Sequence, residues 1–409
     1  ARPSWARSRG AACLTAWLLS PVASAAGEWD LGADIAAELR SFVEGPAFDD
    51  QLEHLQPSTA ITADLRWDSD DRRHQLVITP FARLDGADSR RTHVDLREGY
   101  YRYAGDGIEL IVGAAKVFWG VTESRHLVDI VNQTDAVEDI DEEDKLGQPM
   151  VKLSLLRDWG QLDFFALPVF RERTFPGVDG RLRFDPEIDV DEARFGSDLD
   201  EQADHTDFAV RYSHYFGNVD LGLSFFNGTS REPLFAFGAN PQTGAPTITP
   251  IYSDIRQIGV DAQYTANAWL WKFEGIVREG QGDTFAATVA GFEYTRYGVT
   301  QAGADLGLLV EHQYDGRDFP EAPVTVLNND LFYGARLALN DVQDTSLLAG
   351  AITDLEDGTT SVSIEAERRF GQVWTGELEA RLFVAVDAQN LVDAFARDSF
   401  VTLRLTRYF

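Results

Sequence analysis

Cysteine and long apolar runs are what the sequence most clearly lacks. Cys13 is the only cysteine among 409 residues, and it lies near the N-terminus, so we expect no disulfide and no catalytic thiol in the rest of the chain. Beyond the N-terminal segment, no run reaches the roughly 18 apolar residues that a transmembrane helix needs. Basic residues are also scarce: 36 Lys and Arg against 67 Asp and Glu give a formal net charge of −31, which disfavours binding to nucleic acid.

Residues 1–26 have the pattern of a secretory signal peptide. Three arginines within the first nine residues precede a short apolar stretch over 11–22, and the small residues ASAA at 23–26 suit a cleavage site. We therefore expect an exported protein whose single domain covers 27–409.

From residue 27 onward, apolar and polar residues alternate with a period of two, which is typical of β-strands with two different faces. Segment 361–370 (SVSIEAERRF) is a clear example. The pattern predicts eighteen strands, over 30–42, 59–68, 73–85, 92–104, 108–119, 150–157, 161–172, 205–216, 218–228, 253–265, 268–279, 284–297, 303–314, 328–340, 344–355, 359–370, 373–386 and 398–409.

Short connections alternate with long ones along these strands. The turns at 104–107, 158–160 and 371–372 are brief, whereas the connections over 120–149 and 173–204 are long. Short turns at one end, longer loops at the other and aromatic residues near the turns are typical of outer-membrane barrels. We therefore predict an all-β fold: a transmembrane, antiparallel, up-and-down β-barrel of eighteen strands, with sixteen or twenty possible if a hairpin is divided or merged.

Two segments resemble motifs of bacterial outer-membrane proteins. The C-terminal FVTLRLTRYF (400–409) is similar to the last strand that the barrel-assembly machinery recognises, although Arg407 stands where an apolar residue is usual. Segment 113–120 (GAAKVFWG) resembles the end of a strand in large porins, including the alginate-export and phosphate-selective kinds. The resemblance implies a porin-like channel in the outer membrane of a Gram-negative bacterium, acting alone or as a homotrimer.

If the apolar face of each strand meets lipid, the opposite face lines the interior. Acids and bases on that face are nearly balanced, so the interior is expected to be either a wet pore or a lumen closed by ion pairs. The candidate pore-lining residues are Glu38, Arg40, Arg66, Arg83, Arg97, Lys152, Arg211, Lys272, Glu274, Glu311, Arg336, Glu365, Glu367, Arg369, Glu377, Glu379 and Arg381.

The acidic surplus falls in two long loops, 120–149 and 173–204. Its members are Glu138, Asp139, Asp141, Glu142, Glu143, Asp144, Asp185, Glu187, Asp189 and Asp191. In an extended chain the four acids over 185–191 would share one side. Oxygen-only clusters suit Ca²⁺ or Mg²⁺, which could also bridge to lipopolysaccharide; the alternatives are a solvated acidic surface and a constriction loop. Loop 120–149 is the better constriction candidate, because apolar residues over 127–131 could pack against the inner wall.

The sequence offers little covalent chemistry. The nearest approach to a catalytic pair is Ser124 and His126, which lie in no recognisable catalytic frame. We therefore expect no catalytic residue and no cofactor beyond a divalent cation at the acidic loops. The expected function is passive diffusion of small hydrophilic solutes with a mild preference for cations. The alternatives are a specific channel for an oligosaccharide or an organic acid and, after that, a barrel enzyme or a structural sheath.

Overall fold

The computed structural model describes residues 27–196, 206–240, 243–318 and 320–409. The predicted signal peptide, over 1–26, lies outside the described residues. Within them, no helix is long and apolar enough to cross a membrane. The helical content of the described ranges is two short 3₁₀ turns, Val190–Glu192 and Leu391–Phe395.

Eighteen long strands form one sheet. They are β1 (Gly27–Phe42), β2 (Leu55–Ser69), β3 (His74–Asp85), β4 (His93–Gly105), β5 (Ile108–Ala115), β6 (Gln148–Arg157), β7 (Gly160–Leu167), β9 (Asp207–Phe216), β10 (Val219–Thr229), β13 (Asp254–Ala266), β14 (Trp269–Glu279), β15 (Phe285–Arg296), β16 (Asp305–Asp315), β17 (Asn329–Ala338), β18 (Ser346–Asp354), β19 (Thr360–Phe370), β20 (Trp374–Ala385) and β21 (Phe400–Tyr408). Three shorter strands, β8 (Arg194–Phe195), β11 (Leu234–Ala239) and β12 (Pro246–Tyr252), form a separate small sheet in the long loops.

The eighteen-stranded sheet closes on itself. Each strand pairs antiparallel with the next, and the last strand, β21, pairs with β1, so that Glu38 lies opposite Arg404. Closure leaves no unpaired strand edge, which is the condition for a sheet to span a membrane. The predicted fold and strand number are confirmed.

The two faces of the wall differ as the alternation predicts. Along β1, Ile35 and Leu39 are exposed on the outside, while Glu38 and Arg40 are buried inside. Exposed aromatic residues such as Trp159, Trp269 and Phe370 lie near the short turns. An apolar outer surface with aromatic residues near one rim is the arrangement that lipid and headgroups favour.

Two strands end earlier than the alternation predicts. The strand predicted over 108–119 ends at Ala115, and the one predicted over 161–172 ends at Leu167. In the first case the alternation continues past the wall because Trp119 turns inward and is buried in the interior. Period-two patterning records which side chains are buried, and it does not distinguish a wall strand from an extended segment that leaves the wall.

A β-bulge between β3 and β4 determines the position of Arg97. Pro80 has no N–H to donate, and the β3–β4 ladder shifts register between Thr79 and Pro80. The shift leaves Arg97 as an extra residue on β4, since Thr79 faces Glu98 and Pro80 faces Leu96. The Arg97 side chain reaches into the lumen.

The orientation of the wall leads to a stability prediction for two adjacent residues of β19. Ala366 faces outward between Leu347 and Leu378, and Glu367 faces inward opposite Glu377. We expect Ala366→Arg to destabilise the barrel in lipid by about 1–3 kcal/mol, because its charge meets hydrocarbon. Glu367→Arg, at the same depth, is the control and should cost much less. Urea-induced unfolding in liposomes measures both; equal losses would contradict the assignment of the faces.

Candidate functional site

The register places all the predicted pore-lining side chains on the inner face of the barrel. Across one group of strands, Arg336 faces Leu348, Leu348 faces Glu365, and Glu365 faces Glu379. Their surroundings nevertheless differ widely. Glu274 and Glu311 are almost completely buried, whereas Arg66 and Arg369 remain well exposed near the short turns. The difference arises because one long loop occupies part of the lumen.

Residues 116–147, which we call the inner loop, fold into the barrel between β5 and β6. Asn132 holds the two ends of this loop together: its amide nitrogen donates to the carbonyls of Ala115 (2.9 Å) and Leu146 (2.8 Å), and its oxygen accepts from the Val117 N–H. The loop as a whole contacts opposite parts of the wall, so it crosses the lumen.

An apolar patch of the wall receives the middle of the inner loop. Leu127, Val128, Ile130 and Val131 are buried against wall residues, as their apolar character suggests. The wall side of this cluster includes Phe165, Ala209, Phe226, Ile276 and Val289. Gly259 permits the close approach, because a Cβ there would lie 3.0 Å from Val128. Each such side chain contributes about 1.5–3 kcal/mol by burial, which is enough to favour the docked loop.

Two buried carboxylates of the wall hold the first turn of the inner loop. Glu274 Oε1 accepts from the backbone N–H groups of Val121 (2.7 Å) and Thr122 (3.0 Å). Glu311 accepts from the N–H groups of Glu123 (2.9 Å) and Ser124 (2.8 Å). Hydrogen bonds from neutral donors to an ionised acceptor are stronger than neutral ones, and these are shielded from water. Glu274 and Glu311 thus act as a latch.

Ion pairs hold the other end of the inner loop on the far side of the lumen. Glu138 binds Arg83 of β3 at 2.6 Å, and Asp139 binds Arg40 of β1 at 2.6 Å. Asp135 binds Arg97, the extra residue of the β3–β4 bulge. Removing one partner of such a buried pair leaves an uncompensated charge and costs several kcal/mol, roughly 3–5.

A buried glutamate on the wall connects these pairs to the barrel seam. Glu38 of β1 accepts from Arg91 at 2.7 Å and from Arg404 of β21 at 2.7 Å, and lies 3.3 Å from Arg83. Arg91 is among the most deeply buried side chains of the described residues, yet it lies just outside the predicted strands and was not among the predicted lining residues. Strand periodicity carries no signal for a loop arginine that reaches into the lumen.

The long-loop end of the barrel is covered by packed loops. Arg181 is fully buried and donates to Asp398 (2.6 Å) and to backbone carbonyls at Glu53 (2.9 Å) and Arg397 (2.6 Å). These contacts fasten the loop after β7 to the loops before β2 and β21. The small sheet of β8, β11 and β12 adds to this cover. The sequence pattern did not identify Arg181, because a buried arginine in a long loop has the same sequence context as one exposed to solvent.

A cavity of about 480 Å³ lies between the inner loop, the covering loops and the β17–β20 wall. Glu143 and Lys145 line it from the inner loop, and Arg381 and Glu365 line it from the wall. Arg381 contacts Asp141 and lies 3.5 Å from Glu365, so acids and bases pair on the surface of the cavity. This charged cavity is the candidate functional site.

The acids of the two long loops differ in their surroundings. Glu138 and Asp139 are buried in ion pairs, whereas Asp141, Glu142 and Glu143 line the cavity. In the second loop, the acids of 185–191 lie outside the named strands and have different contacts. Asp189 accepts from the Asp191 N–H and begins the 3₁₀ turn, while Glu187 binds Arg90 at 2.6 Å.

Two groups of the described residues bring three potential metal ligands together. One is His93, Asp135 and Glu138, and the other is Asp139, Asp141 and Glu379. Arginines already neutralise both groups, through Arg97 and Arg83 in the first and through Arg40 and Arg381 in the second. Burial and the neighbouring Asp139 carboxylate raise the pKa of Asp141 to about 8, and burial raises the pKa of Asp144 to about 6.

Ser124 and His126, the nearest approach to a catalytic pair in the sequence, lie beside the latch residues Glu274 and Glu311. The Ser124 hydroxyl donates to Glu311 at 2.6 Å, and His126 Nδ1 lies 3.8 Å from Glu274 Oε1. Each side chain therefore faces a carboxylate of the wall. The contacts support a positioning role for both residues.

No family model matches the chain, and no curated protein matches it. Similar solved structures include two engineered variants of the Rhodopseudomonas blastica porin. Both are 11% identical to this chain, cover 93% of it and 100% of their own length, and have TM-scores of 0.45 and 0.44. The class of protein is defined by the closed antiparallel barrel itself: it is a β-barrel of eighteen strands with a loop folded into its lumen.

The latch makes a prediction about loop mobility. Replacing both latch residues (Glu274→Gln and Glu311→Gln) removes two charged acceptors and places amide hydrogens against backbone N–H donors. We expect the inner loop to loosen, with the loss of about 1–3 kcal/mol for each site. Single-channel recordings should show larger and noisier currents than those of the unaltered protein. Glu293→Gln, on the inner face of β15, is the matched control, and an equal change in that variant would argue against the latch.

Proposed function

We propose that the protein is a porin-like channel of the bacterial outer membrane, for passive diffusion of small hydrophilic solutes with a mild preference for cations. The closed barrel with an apolar outer surface supports a membrane location, and bacterial barrels of this kind reside in the outer membrane. Membrane lipid, lipopolysaccharide and the barrel-assembly machinery are the corresponding partners. A homotrimer is compatible with this architecture.

The charged cavity beside the inner loop is the observation that carries this proposal. The inner loop fills the side of the lumen that faces β7–β15, and the polar space lies on the side of β17–β20. The charged side chains among the lining residues suit the passage of water and small polar solutes, for which pore size, lining charge and loop constriction set selectivity. No covalent step is needed, and we propose no catalytic residue.

Conductance is the direct test of the channel proposal. The full chain, refolded and inserted into a planar bilayer, should give small steady current steps, and a KCl gradient should reveal a modest potassium preference. Glu365→Gln, which removes an acid on the cavity wall, should reduce that preference. Folded protein that conducts in neither the unaltered form nor the variant with both latch residues replaced would contradict the proposal.

The acidic residues of the inner loop predict how selectivity changes with pH. With a pKa of about 8, Asp141 is largely neutral at pH 6 and ionised at pH 9. Raising the pH adds negative charge to the cavity, so the cation preference should increase between pH 6 and pH 9. Reversal potentials measure this change, and Asp141→Asn should flatten it. A preference that falls with rising pH would contradict the role assigned to Asp141.

A specific channel for an oligosaccharide is the second candidate, and one feature favours it. Five phenylalanine rings that line the cavity form a chain, with centroid separations of 5.9, 6.2, 5.2 and 6.4 Å between successive rings. In order they are Phe175, Phe235, Phe184, Phe395 and Phe383. Apolar faces of sugar rings stack on such surfaces. Reversible block of the current by a maltooligosaccharide would favour this candidate over a general channel.

A further inference from the structure

Three inward-facing side chains lie side by side at the long-loop end of neighbouring strands. Gln313 of β16 is directly opposite Asp330 of β17, and Asp330 is directly opposite Asp354 of β18. Residues paired in this way on one face have their Cβ atoms about 5 Å apart. All three are buried, with exposures of 0%, 2% and 5%, respectively. We call them the Gln-Asp-Asp row.

The row contains polar atoms that have no hydrogen-bond partner in the described part of the chain. Neither the oxygen nor the nitrogen of the Gln313 amide has one, and Asp330 Oδ2 has none either. A buried polar group without a partner costs about 1–3 kcal/mol, and more if it is charged. Such groups are rare in proteins unless an ion or a water molecule completes them.

Asp354, by contrast, is fixed in place by the turn that follows it. Its Oδ1 accepts from the N–H of Glu356 at 2.7 Å, and its Oδ2 lies 3.3 Å from the amide nitrogen of Asn390. These bonds orient the carboxylate without supplying a positive charge. The orientation is therefore set before any ligand arrives.

Within the described residues, no base forms an ion pair with the two acids of the row. The positive charge of Arg125, in the inner loop, attracts the Asp330 carboxylate. The hydrogen bonds of the Arg125 guanidinium go elsewhere, to Asp315 at 3.0 Å and to the Leu327 carbonyl at 3.0 Å. Two carboxylates facing each other across a ladder repel. A divalent cation would cancel both charges at once.

We propose that the Gln-Asp-Asp row binds a divalent cation, with Ca²⁺ as the preferred ion. Two carboxylates and an amide oxygen form an oxygen-only ligand set, and Ca²⁺ accepts such sets with six to eight ligands in flexible geometry. Asp330 and Asp354 line the charged cavity, so water can supply the remaining ligands. This inference is independent of the proposed transport function, because it concerns binding alone.

The two clusters with three potential metal ligands are less suitable as a cation site. In the first cluster Asp135 binds Arg97 and Glu138 binds Arg83, and in the second Asp141 binds Arg381. An entering cation would have to displace an arginine at either place. At the Gln-Asp-Asp row it would meet oxygens that have no such partner.

The site lies at the rim, where it would cross-link three strands. β16 and β17 are joined by residues 316–328, and β18 ends at Asp354 before the turn to β19. A bound cation would hold this part of the rim together on the cavity side. Its removal should therefore lower the unfolding temperature of the barrel in detergent as well as abolish binding.

Calorimetric titration of CaCl₂ into refolded, lipopolysaccharide-free full chain tests the proposal. We expect a dissociation constant on the order of 10⁻⁴–10⁻³ M, since the site has two charged ligands and relies on water for others. Asp330→Asn should weaken binding about tenfold or more, as the loss of one ligand charge implies. The control Asp141→Asn, in the arginine-bound cluster, should leave binding unchanged.

A second variant keeps the proposal testable if Asp330→Asn fails to fold. Gln313→Glu adds a third carboxylate to the same row and should tighten Ca²⁺ binding and increase the stabilisation by calcium. Absence of calcium binding to the folded, unaltered chain would overturn the proposal. So would binding that survives Asp330→Asn and is lost in Asp141→Asn, because the ion would then occupy the other cluster.

Discussion

A loop can enter a closed barrel only if its backbone N–H groups find acceptors there, and this constraint shapes the interior. The backbone groups of the wall are already used in the ladder between strands, so the acceptors are wall side chains or carbonyls of the loop itself, such as Gln133 for the Leu146 N–H. Glu274 and Glu311 meet this need by accepting from four successive N–H groups over residues 121–124. The apolar patch beneath residues 127–131 then makes the docked position favourable. Without the two carboxylates, the same patch would face a loop that is better solvated by water.

The docked loop divides the lumen into two unlike halves. On one half, loop and wall form a packed apolar core with buried carboxylates. On the other, the β17–β20 wall keeps its acids and bases around open space. The nearly balanced acids and bases of the inner face therefore have two different roles: some bind the inner loop, and others line the cavity. Arg40, Arg83 and Arg97 bind the loop, Glu365 faces the cavity, and Arg381 does both.

Most of the wall could be predicted from the sequence, because each strand must present one face to an apolar surface and the other to the lumen. That requirement makes nearly every second residue apolar, as in 361–370. The apolar run over 127–131 likewise predicted contact with the inner wall, since it has no other place to be buried. The partners of the charged residues could not be predicted. Arg40 and Asp139 are 99 residues apart, and only the closed fold brings them together.

The side chains that sequence reasoning missed share a physical reason. Arg91 and Arg181 lie in connections, where periodicity ceases, and their partners come from distant parts of the chain. The Gln-Asp-Asp row was missed for a different reason: Asp330 and Gln313 fall within predicted strands, but their lack of partners appears only once the neighbouring strands are in register. Alternation tells which face a residue is on and says nothing about whether its polar atoms are satisfied there.

The seam between the first and last strands has a consequence for assembly. Glu38 of β1 binds Arg404 of β21 and also contacts Arg83, which in turn holds Glu138 of the inner loop. Asp139 adds contacts to Arg40 of β1 and, at 4.0 Å, to Arg381 of β20. The receptor surface for the end of the loop is thus composed of both chain ends. The full set of ion pairs at this end of the loop therefore requires the two chain ends to be together, because Arg40 lies on β1 and Arg381 on β20.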